Sequence, residues 1–191
     1  VNIRDPLLDG LAGLSFTNLK LSWKGPHNSY SETGPALITH WGMSGPAMLR
    51  LSAWAARDLA EAGYRGTLCA SFVPDLTREE ILATLSGIIR AASTRKPANA
   101  DVPWVPKRLW ERLCEIKGCA DRRCCDLSKA HIQSLADALY ATELPFDGKS
   151  NNKEEFVTAG GVPLREVNMK TMESRIAPGL HFAGEVLDID G

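Results

Sequence analysis

The residues with the clearest potential for ligand chemistry lie near the C-terminus. Leu180 to Ala183 have the composition of a short strand, and Gly184 and Glu185 follow it directly. Glycine lets the backbone approach a ligand closely, and a carboxylate accepts hydrogen bonds from sugar or ribitol hydroxyl groups. A strand that ends in glycine and an acid therefore suits a nucleotide cofactor such as a flavin. From spacing alone, however, the favoured interpretation is a strand end and turn with a solvated Glu185.

A second group of polar residues lies between Thr39 and Pro46. Residues 35–41 are predicted to form a strand, after which Ser44 caps a helix that has Pro46 in its first turn. His40 is a candidate substrate-facing acid or base, or else a histidine packed beside a tight turn. For Ser44 and Gly45 we expect a structural role at the helix start. The alternative is that the helix N-terminus is directed at an anionic group.

Four of the five cysteines lie close together, with His131 nearby, and they are Cys114, Cys119, Cys124 and Cys125. Zinc sites usually contain C-x2-C pairs, whereas the spacing here is C-x4-C-x4-C-C. We therefore predict no metal site. The pattern indicates reduced thiols on a helix and the loop after it, as is usual in a reducing compartment.

Composition excludes several classes of protein. The chain has 191 residues, 44% hydrophobic and 24% charged, which is typical of a globular protein with one domain or two small ones. Its formal net charge of −1 predicts no general attraction to nucleic acid or to an anionic membrane. No apolar run approaches the roughly 20 residues that span a bilayer. Unpaired thiols and the lack of a targeting signal favour a cytoplasmic location, although an organelle is not excluded.

The hydrophobic pattern changes along the chain. Before residue 76 it predicts strands within 11–24, 35–41 and 66–74, and one helix from residue 44 to 62 that Gly63 ends. A helical part follows. Thr77 and Glu80 form a capping box for its first helix, and Ser128 caps its third. The second helix is marked by Leu109, Leu113 and Ile116. From residue 143 strand character returns, with further short strands predicted over 155–159 and 180–183.

Three blocks of sequence together resemble one known family, the HI0933-like (YhiN/BaiN) flavoproteins. Thr39–Ala47 is similar to its Thr-His-x-Gly-x-Ser-Gly-Pro-Ala signature, and Asp9–Leu14 is similar to the start of its inserted region. The longest block comprises Thr158–Val162, Lys170–Ser174 and Pro178–Gly191. The blocks stand in family order and bracket nearly the whole chain.

This resemblance implies an α+β fold in which a β-barrel-like unit and a small helical unit form an insertion in a FAD-binding domain. Residues 1–75 would be the barrel-like part and residues 76–142 the helical part. Residues 143–191 would return to the α/β FAD-binding domain as an incomplete, C-terminal fragment of it.

The resemblance also implies site residues. Gly184 and Glu185 would contact the ribitol–pyrophosphate region of FAD, and Asp188 and Gly191 would lie where the chain turns toward the cofactor. Gly160 and Gly161 would bring backbone close to it. Four residues would face the substrate side, namely Thr39, His40, Ser44 and Gly45.

By resemblance, the function is that of a FAD-dependent oxidoreductase, with NAD(P)H as a candidate electron donor and an unidentified small molecule as substrate. The sequence contains no G-x-G-x-x-G dinucleotide motif. We therefore expect the chain to be an inactive fragment alone, to retain little or no FAD, and to need the remainder of the FAD-binding domain as its partner. We expect neither nucleic acid nor membrane as a partner. The alternative is a stand-alone binding module, derived from the inserted domain, that has no redox activity.

Overall fold

A five-stranded antiparallel sheet forms the centre of the computed structural model, which describes residues 2–148 and 159–189. Its strands lie in the order β3-β2-β1-β4-β5. They are β1 (Ser15–Lys24), β2 (Ser29–Thr39), β3 (Gly42–Ser44), β4 (Arg65–Ser71) and β5 (Thr142–Asp147). The predicted α+β class, with a barrel-like sheet and a helical unit, is confirmed.

The N-terminal segment connects the two edges of the sheet. At the end of β5, Asp147 N–H donates to the Asn2 carbonyl at 3.0 Å, and Asn2 N–H donates to the Gly148 carbonyl at 3.2 Å. On the other side, Ile3 N–H donates to the carbonyl of Trp41, next to β3, at 2.9 Å. The two edges of the curled sheet are thus brought together, and each has a backbone partner at this point, where an exposed edge would be open to pairing with another chain.

Two helices follow β3 where the sequence predicts one. α1 (Pro46–Trp54) and α2 (Ala56–Glu61) are separated at Ala55, whose φ of −88° and ψ of 3° lie outside the helical range. The predicted stop is confirmed, because Gly63 has a φ of +61°. The prediction that Ser44 caps the helix is wrong. Ser44 is the last residue of β3, where it pairs with Leu37, and the N-cap is Gly45 without a side-chain hydrogen bond.

A helical unit made of α3 (Arg78–Ala91), α4 (Lys107–Ile116) and α5 (Lys129–Tyr140) packs beside the sheet. Its predicted caps are confirmed. Thr77 Oγ1 accepts the Glu80 N–H, and Ser128 Oγ accepts the His131 N–H, both at 3.3 Å. These contacts involve residues only three positions apart, so they form as soon as the helix does.

One hydrophobic core joins the sheet and the helical unit. Its members lie between Ile3 and Phe146, and its largest fully buried side chain is Trp110. The Trp110 indole N–H donates to the Pro97 carbonyl at 2.7 Å, which satisfies the polar atom of an otherwise apolar ring. The helices therefore stabilise the sheet through shared burial, not through a small contact surface.

Residues 143–147 bear on the predicted division of the chain. They belong to β5, which pairs with β4 from Ala70↔Thr142 to Arg65↔Asp147 and forms the edge strand of the barrel-like sheet. In the structure this segment thus lies with the sheet. The division into residues 1–75, 76–142 and 143–191 otherwise stays a prediction.

The C-terminal segment, residues 159–189, contains little regular structure. It has two-residue strands, β6 (Val167–Asn168) and β7 (Glu173–Ser174), and short 3-10 turns. The predicted strand at 180–183 is wrong. Of its residues only His181 makes a bridge, to Glu173, and Gly184–Val186 is a 3-10 turn. A strand needs a partner along its length, and the described residues offer one only at that bridge. The strand predicted at 155–159 lies, except for Ala159, outside the described residues.

Within the described ranges, no helix combines the length and the apolar character that a membrane crossing requires.

Candidate functional site

The candidate residues fall into two places, a cleft beside the N-terminal loop and a turn near the C-terminus. The cleft has a volume of about 420 Å³ and lies between the N-terminal loop and the end of β2. Its lining includes Arg4, Asp5, Asp9, Gly10, Thr39 and His40.

Close backbone packing forms the cleft. Gly42 has a φ of +142°, and a Cβ atom there would lie 2.9 Å from the Ile3 nitrogen, so a side chain would push the N-terminal segment away. Beside it, Thr39 Oγ1 accepts the Trp41 N–H at 3.3 Å. The loop itself is held by Asp5, whose carboxylate accepts the Leu7 N–H at 2.9 Å.

The structure brings Thr39 and His40 to the cleft and leaves Ser44 and Gly45 outside its lining. His40 is exposed and can reach a ligand in the cleft. Gly45, with a φ of +100°, sits at the junction of β3 and α1, where a Cβ atom would come within 2.9 Å of the Ala36 Cα. Close packing thus explains Gly45 without a ligand.

Sequence reasoning missed two arginines that position the N-terminal loop. Arg108 on α4 donates to the Gly10 carbonyl. One turn further along the same helix, Arg112 donates to the Pro6 carbonyl from two of its nitrogens, at 2.6 and 3.1 Å. The helical unit therefore fixes one wall of the cleft. The i, i+4 spacing of the two arginines is visible in the sequence, but their targets lie about 100 positions away, so spacing alone could not identify them.

The C-terminal candidates come together through a short parallel contact. Val162 N–H donates to the Val186 carbonyl, and Asp188 N–H donates to the Val162 carbonyl, each at 2.9 Å. This pairing places Gly160 and Gly161 beside the turn at Gly184–Val186. Residues separated by more than 20 positions thus form one local site, which we call the glycine turn site (Gly160, Gly161, Gly184, Glu185).

The three glycines of this site differ in their surroundings. A Cβ atom on Gly161 would lie 2.5 Å from the Val186 carbonyl oxygen, so this glycine is required by packing within the chain. At Gly160 and Gly184 a Cβ atom would meet nothing within 4 Å, yet their φ angles are +97° and +75°. Glu185 is exposed beside them. This part of the site is open to a ligand.

Asp188 connects the C-terminal segment to the rest of the molecule. Its carboxylate accepts a hydrogen bond from Arg57 on α2 at 2.6 Å, and the Asp188 side chain is 25% exposed. The sequence suggested a cofactor role for Asp188 and gave no sign of Arg57. Gly191, the last candidate, lies outside the described residues.

The cysteine at the end of α4 and those of the loop between α4 and α5 (the cysteine loop, residues 117–128) have largely buried thiols. Cys114, Cys119 and Cys124 are buried, and Cys125 is exposed. A hydrogen bond with Cys119, together with burial, raises the pKa of Cys114, so this thiol stays protonated and unreactive. His131 Nδ1 is engaged with Ser128 in the cap of α5. Within residues 2–148 and 159–189, no group of three histidine, cysteine or acidic side chains is arranged to hold a metal ion.

Comparison with known proteins shows which family has this architecture. The family model described as "HI0933-like protein barrel and H2TH domain" matches residues 1–157. The chain belongs to this family. The match covers the barrel-like sheet and the helical unit, and it ends before the glycine turn site.

Three curated relatives have similar sequences. A ribosomal RNA dihydrouridine synthase of Escherichia coli (strain K12) is 31% identical over 156 residues, which is 81% of this chain and 36% of that protein. The Haemophilus influenzae protein of the same name is 30% identical over 190 residues, covering 98% of this chain and 43% of that protein. A 3-dehydro-bile acid delta(4,6)-reductase of Clostridium scindens is 28% identical over 161 residues, which is 84% of this chain and 39% of that protein. The chain thus spans about two fifths of the length of these relatives.

Proposed function

We propose that this chain is the substrate-side part of a flavin-dependent reductase that reduces a carbon–carbon double bond conjugated with a carbonyl group. The observation that supports this most is the open glycine turn site, in a family member whose relatives carry reductase or dihydrouridine synthase names. The proposed electron donor is NAD(P)H.

The names of the relatives suggest the reaction class. Dihydrouridine is uridine with two hydrogens added across a ring double bond that is conjugated with a carbonyl group. A 3-dehydro, delta(4,6) substrate likewise has double bonds next to a ketone. Both reactions add a hydride and a proton to an electron-poor alkene. A reduced flavin is able to supply that hydride.

The glycine turn site fits part of a flavin cradle. Gly160 and Gly184 leave space in which a Cβ atom would have no neighbour, and Glu185 offers an exposed carboxylate to ribitol hydroxyl groups. The Arg57–Asp188 ion pair would hold this turn against α2. Because the sequence lacks a dinucleotide motif, the pyrophosphate would be bound by the remainder of the FAD-binding domain.

The cleft beside His40 fits the substrate side. Its volume of about 420 Å³ lies within the range of small-molecule sites, and Thr39, His40 and Arg4 supply polar groups along its wall. In this proposal His40 is the group that donates the proton to the substrate carbon next to the carbonyl. His40 also lies in the loop that fixes the N-terminal wall, so its position depends on the backbone contact between Ile3 and Trp41.

The test uses the complete product of the gene that encodes this chain. The purified protein is expected to show the visible absorption of bound flavin and to oxidise NAD(P)H when given an unmodified ribosomal RNA fragment or a conjugated 3-ketosteroid. Glu185→Gln should weaken flavin retention, whereas His40→Gln should retain flavin and lose turnover. The matched control is His181→Gln, which changes another exposed histidine.

A protein without flavin would contradict the proposal and favour the alternative, a binding module without redox activity. A loss of turnover in His181→Gln equal to that in His40→Gln would remove His40 from its assigned role.

A further inference from the structure

Positive charge is concentrated in two short segments of the helical unit. Residues 90–96 contain Arg90, Arg95 and Lys96 and no acidic residue. Residues 121–129 contain Arg122, Arg123 and Lys129, with Asp121 and Asp126 as the acidic residues. Together the two segments have a formal charge of +4, in a chain whose formal net charge is −1.

The fold joins these segments into one surface. Cys124 N–H donates to the Arg95 carbonyl at 2.8 Å, and Cys125 N–H donates to the Ser93 carbonyl at 3.0 Å. These bonds attach the cysteine loop to the segment that follows α3. We call the result the basic surface (residues 90–96 and 121–129). Cys124 within this surface and Cys119 just before it are buried in the hydrophobic core, which holds the loop in place.

Most cations of the basic surface have no internal partner. Lys96 pairs with Asp121 at 3.0 Å, and that carboxylate is 97% exposed. Arg90, Arg95, Arg122, Arg123 and Lys129 are all exposed. None of these five forms an ion pair with another residue in the described part of the chain. Like charges held together without partners repel one another, so an anionic partner would be stabilising.

A second cleft, of about 440 Å³, adjoins this surface between α3 and α5. Its lining combines apolar residues with cations and small polar groups, and includes Leu82, Ile89, Arg90, Ser93, Lys129 and Ile132. Proteins that bind single-stranded nucleic acid combine cations that contact phosphates with flat side chains, aromatic rings or arginine guanidinium groups, against which unstacked bases lie. In this cleft the guanidinium group of Arg90 is the flat side chain, and it stands beside the apolar Ile89 and Ile132.

We propose that the basic surface binds the phosphate backbone of RNA and that the adjoining cleft accepts an unpaired base. This inference rests on the proposed function and deepens it, because it selects RNA over a free small molecule. The net charge of the whole chain predicts no nucleic-acid partner. However, screening limits electrostatic interactions to about 8–10 Å at physiological salt, so the local charge matters more than the total.

The experiment measures the fluorescence anisotropy of a short labelled single-stranded RNA titrated with this 191-residue chain at several salt concentrations. In the variant Arg95→Gln/Arg122→Gln/Arg123→Gln, affinity should fall at least about tenfold. The slope of log K against log salt should become shallower by about 2, since each phosphate contact to a single strand contributes about 0.7. The matched control Lys20→Gln/Lys24→Gln/Arg165→Gln removes three exposed cations elsewhere and should bind like the parent.

Three outcomes would overturn the proposal. They are unchanged RNA binding by the triple variant, an equal loss in the control, and tighter binding to phosphatidylserine vesicles than to RNA. If circular dichroism shows that the triple variant does not fold, hydrogen exchange of the parent with and without RNA decides. Protection of residues 90–96 and 121–129, together with the residues of α3 and α5 that line the adjoining cleft, supports the proposal, and its absence refutes it.

The assay contains no flavin, so it separates this inference from the proposed function. RNA binding without uridine reduction by the complete protein would leave the basic surface standing and refute the reductase. Reduction of a free small substrate without RNA binding would support the reductase and refute the basic surface as an RNA-binding site.

Discussion

The body of the molecule, residues 2–148, and the C-terminal segment, residues 159–189, are stabilised in different ways. The main core lies wholly in the body, whereas in the C-terminal segment the buried hydrophobic residues are Val167 and Leu187. Several large apolar side chains of that segment are exposed, among them Met169, Ile176, Leu180 and Ile189. A segment of this kind buries too little surface to fold independently. The comparison teaches that one shared apolar core stabilises the body. The segment is instead held by its own backbone hydrogen bonds, such as Val162 to Val186, and is attached to the body by the ion pair of Arg57 and Asp188.

The largest expected difference concerns apolar truncation. Leu21 in β1 is fully buried, so Leu21→Ala should lower the free energy of unfolding by about 2–5 kcal/mol. Leu180 is 48% exposed, and Leu180→Ala should change the free energy of unfolding by less than about 0.5 kcal/mol. Urea unfolding followed by circular dichroism measures both. Similar losses in the two variants would show that the C-terminal segment belongs to the same cooperative unit.

A glycine pair tests the same contrast at the backbone. Gly45→Ala should destabilise the protein by about 3 kcal/mol, because strain at φ +100° adds to a clash with the Ala36 backbone. Gly184→Ala has strain but no clash, and should cost at most about 1–2 kcal/mol. Thermal unfolding distinguishes them. A larger loss at Gly184 would mean that this turn is packed inside the molecule and is not open to a ligand.

The contact between the two regions should contribute little to global stability. Arg57→Gln removes an ion pair whose arginine side chain is 60% exposed, so the free energy of unfolding should change by less than about 1 kcal/mol. Limited proteolysis should nevertheless cut residues 159–189 faster, because the glycine turn site loses its attachment to α2. Arg65→Gln, which breaks an exposed ion pair with Asp147 inside the body, is the control. Equal cleavage in both variants would contradict the anchoring role.

The smallest expected effect lies on the surface of the body, at the turn between β1 and β2. A hydrogen bond to Glu61 raises the pKa of His27. A raised pKa means that the protonated form is favoured by folding, so this contribution is present below about pH 6.5 and is lost as the pH rises through the folded value. In Glu61→Gln, an NMR titration should show the His27 pKa lower than in the parent. An unchanged value would exclude the pair as the cause.

Asp58 differs from that exposed pair because it is the buried acidic group of the body, 4% exposed. Burial by itself raises a carboxyl pKa, but the N–H groups of Asn28 and His27, which donate at 3.0 and 3.2 Å, outweigh it, and the pKa of Asp58 lies below its ordinary value. Its contribution is therefore present above about pH 4 and is lost as the pH falls further. Above about pH 4, the Asp58 carboxylate on α2 therefore holds the turn between β1 and β2.

Local interactions let the sequence determine much of the helical unit and the end of α2. Both capping boxes and the stop at Gly63 depend on residues within a few positions of one another, so their geometry follows from the chain itself. The strand order was not readable in this way. Asn2 and Ile3 join the sheet edges, and their partners are distant in the sequence: Asp147 lies about 145 positions from Asn2, and Trp41 lies about 40 positions from Ile3.

The tertiary structure alone decided where the candidate residues lie. Ser44 fits an N-cap by composition, yet pairing with Leu37 keeps it in β3. Leu180–Ala183 has the composition of a strand, yet it finds one bridge partner among the described residues. The sequence determined which residues are suited to chemistry, because that depends on side-chain type. Which of them meet depends on backbone pairing between distant segments, and this pairing is a property of the whole fold.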